Sequence, residues 1–263
     1  MRDAAGTKTT EAAAVLGVDR TKITLIEQGI YSVTPERVVA LAHKYGETDP
    51  EYVAALAAMA GNKGKGWWEE YRGFVPVGFL DICEFEYHAR GLHSYQIAHP
   101  PGPMQSERFC RAIFQDAQVP LTPRVVETRV ENRMRRSETL MAEGAHPYDA
   151  IVHEAALHMQ FGGRDTAREQ LGWMLELSEL PHVTLRVVSF ASRGFKGSGQ
   201  GIYYSHGQVS RLDAVMYDSV DGPIFLDSTE HLEKYHSIIE QMTDRSLSVE
   251  DSRDLIAKIK KEI

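Results

Sequence analysis

The tightest constraint on the fold is the stretch EAAAVLGVDRTKITLIEQG, from Glu11 to Gly29. Thr10 to Leu16 is alanine-rich and strongly helix-forming, and Gly17 then supplies a tight turn. Asp19 is a good N-cap for a second short helix, Arg20 to Gln28, stopped by Gly29. Ile23 and Ile26 make an apolar stripe on that helix, while Arg20, Thr21, Lys22 and Thr24 face outward. Thr34-Pro35 opens a third helix that runs to Gly46, and Asp49-Pro50 opens a fourth, Glu51 to Ala60. Val15, Leu16, Ile23, Ile26 and Val38 are the expected core. GNKGKG at 61–66 is a flexible linker, so the domains are read as a head at 1–60 and a body at 67–263.

Two short helices joined at a glycine, with polar side chains early in the second, follow the logic of a helix-turn-helix. Its first helix crosses the phosphate backbone, and its second presents side chains to base edges in the major groove. The stretch resembles the Cro/repressor-type (XRE) helix-turn-helix, with the frame A-x-x-L-G-V-x-x-x-x-I-x-x-I-E-x-G. Ala13, Leu16, Gly17, Val18, Ile23, Ile26, Glu27 and Gly29 fall in frame, and Thr34-Pro35-Glu36 continues the match. The resemblance implies a further helix before this pair, of which RDAAG would be the tail, so the first helix of the head reads as truncated. It also implies DNA contacts from Arg20, Thr21, Lys22 and Thr24, with Thr9 and Thr10 near phosphates. This chain departs from the family where Lys8 and Thr9 replace the usual capping Thr or Ser and phosphate-binding Gln, and where Leu25 replaces a basic residue. Each lost phosphate contact weakens binding at physiological salt.

Charge limits the partners. The chain carries a formal −8, divided very unevenly. Residues 1–46 hold 6 Lys/Arg against 5 Asp/Glu, and the remainder 23 against 32. An acidic body is repelled by a phosphate backbone, so DNA affinity has to come from a few placed contacts in the head. No apolar run approaches the roughly 20 residues needed to cross a bilayer, and no signal pattern opens the chain. Cys83 and Cys110, with no CxxC spacing, read as core residues of a reduced, cytoplasmic protein.

The body reads as helices followed by strands. GFLDICEFEYHARG is an amphipathic helix, LHSYQIA a short alternating segment, and HPPGP a rigid turn before a helix capped by Ser106. Thr122-Pro123 opens a helix of about 20 residues. Its Arg129, Arg133 and Arg136 share one face, and interleaved Glu127, Glu131 and Glu138 make that face read as solvated and salt-bridged. AIVHEAAL is a strand candidate, Arg164 to Leu177 a helix, and PHVTLRVVSF a strong strand. GIYYS, DAVMYDSV and PIFLDS suggest an antiparallel meander. Ser228 and Ser248 cap the last two helices. The fold class is α+β: an all-α head and a larger α+β body with a small, mainly antiparallel sheet.

The body's ordered segments resemble the C-terminal domain of WhiJ-like actinobacterial regulators. They include WWEEY after the linker, a turn-helix with PGPMQSERFCRAI, an R..R...LM helix, IVHEAAL, REQLGWMLELSELPHVTLRVVSF and a closing LSVEDSRDLI. In that family the turn usually reads V-P-G-L-L-Q-T, and here it carries extra prolines. The resemblance implies a regulator that binds double-stranded DNA as a homodimer, senses a small ligand or partner, and often acts with a small protein encoded beside it. Trp67, Trp68 and Tyr71 read either as an aromatic plug or as a ligand-lining patch. With Tyr95 and Lys196 they are the candidate ligand- or partner-binding residues. GFKGSGQG, which contains Lys196, reads as a hairpin or substrate loop with anion binding as an option.

Enzymatic chemistry finds little purchase. His153-Glu154-x-x-x-His158 misses the zincin spacing: five helical residues turn through about 500°, so the rings diverge by about 140°. No nucleophile elbow, Walker loop or cysteine metal site is present. The expectation is a non-enzymatic transcriptional regulator, without metal or cofactor. An antitoxin-like interaction module with a vestigial head, and an enzyme of unrecognised chemistry in the body, are the alternatives.

Overall fold

A computed structural model describes every residue except Lys63, Gln118, Phe195, Lys196, Ser198, Val220 and Asp221. The chain divides into two units, Met1–Lys65 and Gly66–Ile263.

The first unit is all helical: α1 (Thr9–Leu16), α2 (Arg20–Glu27), α3 (Pro35–Lys44) and α4 (Pro50–Gly61). Gly17 ends α1 in the left-handed region at φ 62°, with its N–H donating to Ala13 and Ala14. That conformation costs a side-chain-bearing residue about 1–2 kcal/mol. Asp19 caps α2 by accepting from the Lys22 amide at 2.9 Å, and Asp49 caps α4. Ala12, Ala13, Ile23 and Leu41 form the core, with Leu16, Val18 and Tyr45 partly buried against it. The two alanines let α1 and α2 approach closely. Val15 departs from expectation, being 41% exposed. It lies two residues past Ala13, about 200° around the helix, and therefore points away from the core.

The second unit is built on one six-stranded sheet in the order β3-β2-β1-β4-β5-β6. The strands are β1 (Gly91–Gln96), β2 (Tyr148–His153), β3 (Val183–Val188), β4 (Ile202–His206), β5 (Ala214–Ser219) and β6 (Gly222–Leu226). β1 pairs parallel with β2 and β2 parallel with β3, while β1–β4, β4–β5 and β5–β6 are antiparallel. The sheet is thus larger than expected and mixed. The meander is the β4-β5-β6 half, and two helical crossovers make the parallel half. The AIVHEAAL segment is not one strand: β2 stops at His153, and α8 (Glu154–His158) starts there, with His153 Nδ1 accepting from the Ala155 amide at 3.2 Å.

Both faces of the sheet are covered. Tyr148, Ala150, Val152, Leu185 and Val187 meet α9 (Arg164–Leu177) and α11 (Val249–Glu262), the largest core. On the other face Tyr95, Ile151, Ile202, Tyr204 and Val215 meet α10 (Thr229–Arg245) through Leu232, Tyr235, Ile238 and Met242. Alternate residues of each strand serve the two cores, which fixes register. Three further helices precede β2: α5 (Val77–His88), α6 (Glu107–Gln115) and α7 (Pro123–Met141). Trp68 and Tyr71, in a 3-10 turn at Trp67–Tyr71, pack with Val75, Leu80 and Cys83 of the α5 region. Cys83 and Cys110 are free and buried.

Candidate functional site

The head gathers its candidate residues into two groups. Thr9, Thr10 and Arg20 border one open groove, together with Arg2, Asp3, Gly6, Thr7 and Lys8. Lys8 is the N-cap of α1 and has no oxygen with which to accept the first-turn amides, so these keep no side-chain acceptor. A helix N-terminus carrying Lys8, with Arg20 beside it, gathers positive charge there, opposed by Asp3 in the groove and by Glu11 in the first turn, whose Oε1 accepts from the Lys8 amide at 3.5 Å. Among the described residues, Lys8, Arg20 and Lys22 make no salt bridge. Arg2 is committed elsewhere, its guanidinium donating to both Glu27 carboxylate oxygens at 2.6 and 3.0 Å. Glu27 thereby ties the N-terminal turn to the end of α2.

The second group is the outer face of α2. Ile23 points inward at 1% exposure. At about 100° per residue, Thr21, Thr24 and Gln28 fall on the opposite side. All three are exposed. Thr24 Oγ1 donates to the Arg20 carbonyl at 3.3 Å. Lys22 leaves this face: its ammonium sits over the Tyr31 ring, 5.6 Å from the centroid. Sequence reasoning missed Gln28, although its spacing of four and seven from Thr24 and Thr21 carries the signal.

The body-site candidates are dispersed. Trp68 and Tyr71 are buried in the α5 cluster, and Arg135 stands over the Trp67 ring at 5.5 Å. Burial, then the neighbouring Glu131, lifts the Tyr71 hydroxyl to a pKa of about 12. Tyr95 lies 1% exposed in the core under α10. Lys196, with Phe195 and Ser198 of the same glycine-rich segment, falls outside the described residues.

A cavity that sequence reasoning missed lies past the end of β1, where the sheet changes from parallel to antiparallel. It measures about 100 Å³, and its lining includes His99, Gly102, Gln105, Arg133, Arg136 and Tyr203, with Ile82, Ile113 and Met216 as apolar walls and Asp218 also present. The proline-rich turn forms one side and is bonded at each step. Tyr203 Oη accepts from the Gly102 amide at 3.1 Å, Gln105 Nε2 donates to the Pro100 carbonyl at 2.8 Å, and Ser137 Oγ donates to the Pro103 carbonyl at 2.7 Å. Gln170 accepts from the Ser106 amide and donates to the Met104 carbonyl, both at 2.7 Å. A Cβ at Gly102 would stand 2.7 Å from Arg136 Nη2 and so press on the guanidinium that Glu86 holds.

The arginine face of α7 therefore turns inward, contrary to the solvated expectation. Arg136 and Glu86 form a two-pronged ion pair at 2.7 and 2.5 Å, with side chains 5% and 8% exposed. Burial alone would lower the Arg136 pKa, but the Glu86 charge and hydrogen bonds hold it above its ordinary value. Arg133 Nη1 donates to Gln105 Oε1 at 2.6 Å and the group stacks near Phe114, but its buried Nε finds no acceptor. Burial, then the Arg136 charge, pushes the Arg133 pKa down. The glutamates that seemed to neutralise this face do not: Glu127 pairs with Arg111 at 2.8 Å, and Glu138 lies 3.9 Å from Arg135.

A separate cleft is lined by His93, His206, His236 and Tyr204. Each imidazole has its own carboxylate: Asp149 at 3.2 Å, Asp213 at 3.5 Å and Glu240 at 3.5 Å. Among the described residues, no group of three or more His, Cys, Asp or Glu side chains converges to hold a metal ion. No helix among them is long and apolar enough to cross a membrane.

A helical head whose second helix presents a polar face, followed by an α+β body, defines a helix-turn-helix protein with an appended domain. Residues 1–56 match a family model described as a helix-turn-helix domain. Residues 79–258, most of the chain, match the family described as domain of unknown function (DUF5753), and the chain belongs to that family. No curated protein and no solved structure matches it.

Proposed function

We propose that the chain is a cytoplasmic, sequence-specific transcriptional regulator of the Cro/repressor type, with a WhiJ-like body that senses a small ligand and shifts DNA affinity. The helix-turn-helix match over the head supports a DNA-binding regulator. The observation that carries the finer reading is the division of the head's polar residues. Thr21, Thr24 and Gln28 share the outer face of α2, whereas Arg20 borders the groove with Thr9 and Thr10. In this reading the outer face meets base edges, and Arg20, Lys8 and the first-turn amides of α1 meet phosphates. Heads of this kind read paired half-sites, so the working form is a homodimer. The reaction to ligand is a binding event, not catalysis, with a coupling of about 1–3 kcal/mol typical of such linkage.

Fluorescence anisotropy with DNA from upstream of the chain's own coding region tests this. The expected result is retention at about 50 mM salt that weakens steeply towards about 200 mM, and loss of retention in the folded Lys8→Ala, Arg20→Ala double variant. Retention unchanged in that variant overturns the residue assignment. Indifference of the whole chain to every fragment at low salt overturns the regulator.

A further inference from the structure

We propose that the cavity beside Arg133 binds a small monocarboxylate with a short apolar tail. Two guanidiniums, Arg133 and Arg136, line this cavity, and the buried carboxylate next to them, Glu86, is already taken by both prongs of Arg136. Asp218, which also lines the cavity, is exposed and makes no salt bridge with Arg133, so the buried part of the site is one negative charge short. Arg133 Nε is buried and unpartnered, and Gln105 holds only one of the other guanidinium nitrogens. Tyr203 Oη accepts from Gly102 and, among the described residues, has no acceptor for its own proton. Arg133 and Tyr203 thus line a cavity of about 100 Å³, with Arg133 Nε itself sealed beneath its surface. A water needs roughly 10–15 Å³ of such space, so the cavity admits a compact oxyanion with a few carbons.

The walls choose among anions. Ile82, Ile113 and Met216 offer apolar surface, and exposed Asp218 adds a negative charge to the lining. A dianion such as phosphate would bring a second charge with no partner into apolar surroundings, which is costly. A monocarboxylate matches the single unmet cation and places its tail on the isoleucines and the methionine. Burial pushes the Arg133 pKa down, in keeping with a charge that no carboxylate pairs. A methionine there would pack without the cost of a buried charge.

This inference rests on the sensory role proposed for the body, yet binding is measured without DNA. Calorimetry and thermal melting of the full chain would use acetate, propanoate and butanoate against phosphate, at matched ionic strength. Saturable binding of propanoate or butanoate, at one site per chain and tighter than phosphate, is expected. Arg133→Met should weaken it at least tenfold while melting, unliganded, at or above the wild-type temperature. Should that variant not fold, Arg133→Lys decides, since it keeps the charge but loses the fork and should also weaken binding. In the wild type, the Arg133 Nε–H resonance should move with saturation. Absence of saturable carboxylate binding, tighter phosphate binding, or wild-type affinity in a folded Arg133 variant overturns the proposal. A chain that binds butanoate but no DNA overturns the regulator and leaves this site standing; the converse overturns the site alone.

Discussion

Glu86→Gln is the most informative single change in the body. The substitution keeps shape and removes one charge. In the native chain Glu86 neutralises Arg136 at 2.5–2.7 Å, with both side chains over nine-tenths buried. Without it, Arg133 and Arg136 face each other in the same small cavity with no carboxylate paired to either. Breaking a buried pair by removing one partner costs about 3–5 kcal/mol. For a unit of this size each 1 kcal/mol is worth about 2–4 °C, so the melting temperature should fall by roughly 6–20 °C. Trp67, Trp68 and Trp173 all lie in the second unit, so tryptophan fluorescence during urea or thermal unfolding reports that unit alone. A companion Glu86→Leu, Arg136→Met chain should recover most of the loss, since apolar residues of similar volume replace both charges. A loss under about 1 kcal/mol in Glu86→Gln would refute the reasoning, because so small a cost is that of an ion pair bathed in water.

Three other outcomes follow from the same structure. Arg20→Ala should lower the slope of log affinity against log salt by about 0.9 per head, equally for all sequences, whereas Gln28→Ala should change the preferred bases; a sequence-dependent effect of Arg20→Ala would reverse the two roles. Gly17→Ala should destabilise the head by about 1–2 kcal/mol through its left-handed φ alone, because an added Cβ meets nothing within 4 Å; hydrogen exchange in α1 and α2 measures it. Burial pushes the Asp213 carboxyl up, but hydrogen bonds from His206, the Gly207 amide and Tyr204 outweigh it and leave its pKa lowered. Its contribution is complete above the unfolded value near 3.9 and is lost as pH falls through the folded value. The stability gap between wild type and Asp213→Asn should therefore be widest near neutrality and close below about pH 4.

Local signals carried much of the architecture. Asp19, Ser106, Thr122, Ser228 and Ser248 each accept the amide of the third helical residue, as their identities and positions suggest. The β4-β5-β6 meander was legible because its turns are short. The parallel strands were not, because β1 and β2 are separated by two helices, and periodicity does not reveal a partner so far away. The arginine row on α7 shows the same limit. Its spacing placed three arginines on one face, but the direction of that face depends on Glu86, fifty residues earlier, and on the turn bonded over it. Local glutamates gave the opposite answer because Glu127 finds Arg111 on a neighbouring helix. In the head, Val15 fell on the wrong side because an alanine pair, not a larger residue, marks the buried stripe of α1.

One helix, α7, holds Arg133 in the cavity wall and, two residues later, sets Arg135 against Trp67, which stands immediately after Gly66. A helix is stiff over so short a span, so the two side chains ride on a common shaft. If an occupant of the cavity displaces that shaft, the emission of the Trp67 indole should shift with occupancy.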